Sequence, residues 1–150
     1  MEYRKDKRTK NLTLRDIHVG DWVQVWGETT ERYSPPLKII QICDDGTIYL
    51  VTSDEERPTP WEEDINNVDA LPIDADLLRG FGFEVIPKDY SEYAFNVLYN
   101  GHKICEFWEY NNLRTIETPW SYYEYFTLFF DDVYDRFPEL LNLEWKGIEK

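Results

Sequence analysis

Cysteine, histidine and methionine are scarce in this chain: two, two and one in 150 residues. A disulfide scaffold or a zinc framework needs more ligands at closer spacing. Cys43 and Cys105 instead lie in apolar, strand-like runs. They read as small buried hydrophobes in a reducing compartment, with a single disulfide between them as the alternative. His18 and His102 are far apart in sequence, and convergence of all four side chains on a metal is disfavoured. Cys105 and His102, three apart on one strand, are expected on opposite faces and so make no nucleophile–base pair. None of the serines (Ser34, Ser53, Ser91 and Ser121) sits in a nucleophile elbow, and Gly80-Phe81-Gly82 lacks the third glycine of a phosphate loop. No apolar run approaches a membrane span, and no apolar segment follows the charged N-terminus. The expectation is a cytoplasmic protein without cofactor, membrane association or catalytic set.

Aromatic residues and acid are what the chain has in excess. Tyrosine, phenylalanine and tryptophan make up 17% of it, enough large flat rings to build a core despite a mean hydropathy of −0.61. The formal net charge is −14, unevenly placed. Residues 1–15 hold six basic and two acidic side chains; the remainder holds ten basic and 28 acidic, a net −18. Such a body repels phosphate backbones, so direct nucleic-acid binding is not expected, whereas a protein partner is. Residues 1–13 read as a basic, solvated leader.

Turn signals set the organisation. Asp21 to Trp26 alternates as a strand entered through Gly20-Asp21, and Pro35-Pro36 interrupts the chain before a strand at Leu37–Cys43. Asp44-Asp45-Gly46 is a hairpin loop into Thr47–Thr52. The stretch from Ser53 through Trp61 to Asp64 reads as an acidic surface loop stiffened by Pro58 and Pro60. Val68–Ile73 is a short strand, and Asp74 caps a short helix ending at Gly80 and Gly82. Asn100-Gly101 joins Glu92–Tyr99 to His102–Tyr110, and Asn111-Asn112 leads into Leu113–Glu117, giving a meander. Thr118-Pro119 marks the start of an aromatic-rich helix to Phe137, where Pro138 stops it, and Leu140–Trp145 adds a last edge strand. The predicted fold is α+β, mostly β: an SH3-like small barrel over residues 14–73, then a short helix, antiparallel meander and C-terminal helix over 74–150, all packed as one compact unit.

Two segments carry a resemblance. Asp16-Ile17-His18-Val19-Gly20-Asp21-Trp22-Val23 resembles an opening of the type D-L-R-I-G-D-W-V. Val68 to Phe83 is similar to the pattern I-x-P-I-P-L-T-x-E-I-L-x-K-x-G-F, departing from it at Ala70, where proline is usual, and Gly80, where a polar residue is usual. Both occur in small proteins of gut anaerobes and their phages or mobile elements, which also end in an aromatic-rich helical segment. The resemblance implies architecture, with Gly20 and Gly82 at turns and Leu77 and Leu78 in the core, and it brings no activity or catalytic residue with it.

Carboxylates are the one abundant chemical resource. On a continuous helix Glu124, Asp131 and Asp135 would fall on one side, and Asp131 and Asp135 are the weak candidates for a divalent cation. A solvated helix face, with Arg136 offsetting Asp132, is the plainer reading. The surface candidates are therefore Trp61, Glu62, Glu63, Asp64, Glu124, Asp131 and Asp135. They suit a non-catalytic protein-interaction module with an acidic, aromatic-rich surface. The alternatives are a phage-type inhibitor imitating nucleic acid and, least favoured, a carboxylate-metal enzyme.

Overall fold

A computed structural model describes residues 12–27, 29–51, 60–111, 113–133 and 136–146. The basic leader up to residue 11, the acidic loop with Arg57 and Pro58, and Asp135 lie outside the described residues. The chain divides into two compact units, Met1–Leu71 and Pro72–Lys150, and is α+β and mostly β.

The first unit is a curled half-barrel. Its strands are β1 (Trp22–Gly27), β2 (Arg32–Tyr33), β3 (Leu37–Ile42), β4 (Thr47–Val51), β5 (Trp61–Asp64) and β6 (Val68–Ala70). The sheet runs β2-β1-β3-β4-β5, with β6 also on β1. Trp26 faces Tyr33 and Val23 faces Leu37, so β2 and β3 continue one line along β1 with a single-residue shift. Pro35 and Pro36 account for the break, since neither can donate to the ladder. Gly46 turns the β3–β4 hairpin at φ 95°, and the Asp45 carboxylate accepts from the Thr47 amide. Trp22, Val23, Gln24 and Val25 are all buried, so β1 has a covered side chain on both faces. The Gln24 amide accordingly donates to the Ala70 carbonyl. In the same core the Tyr33 hydroxyl donates to the fully buried Asp69 carboxylate.

The second unit opens with α1 (Ala75–Gly80). Asp74 accepts from the Leu77 amide at its N-terminus. At its C-terminus Gly82 takes φ 96° while Gly82 and Phe83 donate to Arg79 and Leu78, a Schellman stop. A five-stranded antiparallel sheet follows in the order β11-β10-β9-β8-β7. Its strands are β7 (Glu84–Lys88), β8 (Ser91–Tyr99), β9 (His102–Tyr110), β10 (Leu113–Glu117) and β11 (Tyr122–Tyr123). Asn100 and Gly101 both take positive φ, as a primed hairpin turn requires.

Two expectations for the C-terminal part are corrected. The helix α2 spans only Phe126–Val133. Thr118 and Pro119 belong to a turn, in which the Thr118 hydroxyl and amide both donate to the Ser121 carbonyl. Tyr122 and Tyr123 then pair with β10 as a strand, Tyr123 opposite Ile116. Pro138 does interrupt helix formation, but Leu140–Trp145 is no edge strand. Pro138–Asn142 is a 3₁₀ turn, and Trp145 packs edge-on against Phe81. Phe126, Phe129, Phe130 and Val133, at spacings of three and four, form the buried side of α2. Among the described residues no helix is long and apolar enough to cross a membrane.

Candidate functional site

Trp61, Glu62, Glu63 and Asp64, expected in a loop, form β5. They pair with Leu50, Tyr49, Ile48 and Thr47 of β4 in strict antiparallel register. Three successive carboxylates have little intrinsic preference for a strand, so the pairing itself imposes it. Glu63 and Trp61 lie opposite buried Ile48 and Leu50, whereas Glu62 lies beside Tyr49 and accepts from its hydroxyl at 3.4 Å. The negative charge of Glu62 raises the Tyr49 pKa. Asp64 serves the backbone, because its carboxylate accepts from the Asn66 amide and caps the 3₁₀ turn Ile65–Asn67. Among the described residues β5 is paired only with β4, so the strand is a sheet edge, and it carries an exposed indole.

The helical carboxylate stripe does not form. Glu124 precedes α2 and is exposed, Asp131 lies on α2 half-buried, and Asp135 is outside the described residues. Arg136 does not offset Asp132 as expected. Its guanidinium lies 4.1 Å from the Trp120 ring centre, and Asp132 accepts instead from the Tyr123 hydroxyl at 2.8 Å. The same hydroxyl accepts from the Trp120 indole at 3.1 Å. Burial, then the Asp132 contact, raises the Tyr123 pKa, which keeps it a donor at neutral pH.

Both cysteines carry free thiols, Cys105 buried and Cys43 partly so. A bulge in the β8–β9 ladder alters the expected relation of Cys105 to His102. They oppose Val97 and Tyr99, two apart on β8, so the extra residue cancels the alternation that would have separated them. They still make no catalytic pair, because His102 is exposed and burial pushes the Cys105 thiol far up, leaving it protonated. Cys105 is one of the residues lining a cleft of about 380 Å³, with Ile104, Pro119, Trp120 and Phe137.

A second surface emerges at the β7–β8 turn. Lys88 and Lys103 both contact Glu106 Oε2, at 2.7 and 2.9 Å. Lys88 also donates to the Tyr90 hydroxyl at 3.1 Å. The bonds to Glu106 hold its carboxyl below the ordinary value. A carboxylate whose pKa is depressed on folding stabilises above its unfolded pKa, and that contribution is lost as pH falls through the folded value. Glu106→Gln is therefore expected to destabilise near neutrality, with the gap to the parent closing as urea midpoints are followed below about pH 4.5. A gap constant from about pH 7 to about pH 3 would rule the ionic cluster out as its source.

Around this cluster Tyr90, Tyr93, Tyr110 and Leu113 are all exposed, and Tyr93 meets Tyr110 edge-on at 4.8 Å. Sequence reasoning singled out none of them. The signal was the alternation of acid and tyrosine in Asp89-Tyr90-Ser91-Glu92-Tyr93, whereas Tyr110 joins only through strand pairing. Compared with known proteins, the chain matches no family model, no curated protein and no solved structure.

Proposed function

We propose that the protein is a non-catalytic interaction module that receives a basic protein partner on acidic, aromatic surface. The observation that carries this reading is β5, a sheet edge with exposed Trp61 beside Glu62, Glu63 and Asp64. An edge strand supplies main-chain groups for an added strand, and its charges select against acidic partners and for basic ones. The net −18 of the chain after residue 15 favours the same sign of partner over longer distances.

Immobilised protein is expected to retain basic polypeptides after nuclease treatment and to release them as ionic strength rises. Glu62→Lys with Glu63→Lys should abolish that retention. Capture of nothing, or identical capture by the reversed-charge variant, would refute the reading. The same acidity also supports nucleic-acid imitation as a second reading. In that case duplex DNA added in excess displaces the retained polypeptides.

A further inference from the structure

We infer that the β7–β8 turn of the second unit is a receptor for arginine side chains of a partner protein. The turn borders an open groove of about 550 Å³ lined by residues 87–93, among them Lys88, Asp89, Tyr90, Glu92 and Tyr93. Tyr90 is 74% exposed and Tyr93 41%, an unusual amount of ring surface for one turn to leave in water. Tyr110, packed perpendicular to Tyr93, fixes that ring from the neighbouring strand end. The groove thus presents two phenol rings, one of them held, and two carboxylates.

Its charge decides the ligand. Lys88 offsets the groove only in part: its side chain is only 9% exposed, and its ammonium contacts Glu106 as well as the Tyr90 hydroxyl. Neither Asp89 nor Glu92 has a cationic partner among the described residues. The neighbouring Glu92 carboxylate raises the pKa of the Tyr93 phenol and keeps it neutral. Tyrosine faces beside unpaired carboxylates attract cations. A planar guanidinium stacks on the ring while donating to the carboxylate, which the compact, strongly hydrated ammonium of lysine does less well. The unit already makes such contacts internally, with Lys88 over Tyr90 at 5.4 Å and Arg136 over Trp120.

This inference shares with the proposed function only the sign of the partner's charge, and its test separates the two. The full chain is titrated with a capped arginine–glycine repeat peptide while its backbone and tyrosine resonances are followed by NMR. The same peptide is made with lysine and with uncharged citrulline at the arginine positions. The arginine peptide is expected to shift Tyr90, Tyr93 and Tyr110, to bind more tightly than the lysine peptide, and to lose its effect with citrulline. Tyr93→Ala should weaken it by about two- to thirtyfold, the range of one cation–π contact. Glu92→Gln, which leaves every ring in place, should weaken it too. Equal binding of the citrulline or lysine peptide overturns the inference, as does an unaltered affinity in both variants. Shifts confined to β5 overturn it while leaving the proposed function standing, and no shifts anywhere count against both. Concentration-dependent shifts of the three tyrosines without peptide would assign the groove to a second copy of the chain and likewise overturn it.

Discussion

Phe126→Ala is expected to remove about 3–5 kcal/mol from the stability of the second unit, the range for truncating a buried phenylalanine. The ring is fully buried and stacks on Phe81 at 4.8 Å with planes 6° apart. It also meets Phe83 at 6.4 Å, Phe129 at 5.8 Å and Phe130 at 6.2 Å. Those neighbours come from the α1 stop, the approach to β7 and α2 itself, so no single backbone shift can close the cavity left by alanine. A helix of two turns has no stability of its own, which makes α2 dependent on this contact. Set against about 5–15 kcal/mol for a typical domain, the loss approaches unfolding. Phe126→Leu, which keeps most of the volume, should cost about 1.5 kcal/mol or less. Urea midpoints, with hydrogen exchange of the Phe107 amide in β9 as a local probe, measure both. An alanine variant within about 1 kcal/mol of the parent would show that the ring stack is not what holds α2 in place.

What could be read in advance follows from how local each cause is. The hairpins at Asp44–Gly46 and Asn100–Gly101 were legible because a glycine or asparagine with positive φ is a property of the turn itself. The Asp74 cap and the Gly82 stop were legible for the same reason. Thr118-Pro119 misled because it has the composition of a helix start, yet Tyr122 and Tyr123 find a partner in β10, and that pairing outweighs local preference. β5 was misread in the opposite direction. Nothing in Trp-Glu-Glu-Asp announces a strand, and only β4 makes it one. Trp61, Glu62 and Asp64 are exposed, but on a strand where a loop was expected. The stripe through Glu124 and Asp131 rested on a helix that begins after Glu124. The tyrosine groove escaped because the ring that packs on Tyr93, that of Tyr110, comes from a different strand and meets it through the β8–β9 pairing.

Gly80 shows the same limit. By composition it is a helix stop; in the structure it is the last residue of α1, with no positive φ, and its role is clearance. A Cβ at this position would collide with the six-membered ring of Trp145. That ring is pinned: it is buried, it meets Phe81 edge-on at 5.1 Å, and the next residue donates its amide to the Gly80 carbonyl at 2.9 Å. Alanine in a helix is ordinarily favoured over glycine by about 0.8–1.0 kcal/mol. Here the sign should invert, with Gly80→Ala costing about 1–3 kcal/mol through overpacking. In a Trp145→Leu background the clash is relieved, and the same substitution should become neutral or stabilising. The double-mutant cycle on urea midpoints reads that reversal directly, because the two residues touch and are expected to be strongly non-additive. Additive costs would mean that the glycine serves the turn after all, and that the indole of Trp145 merely rests nearby.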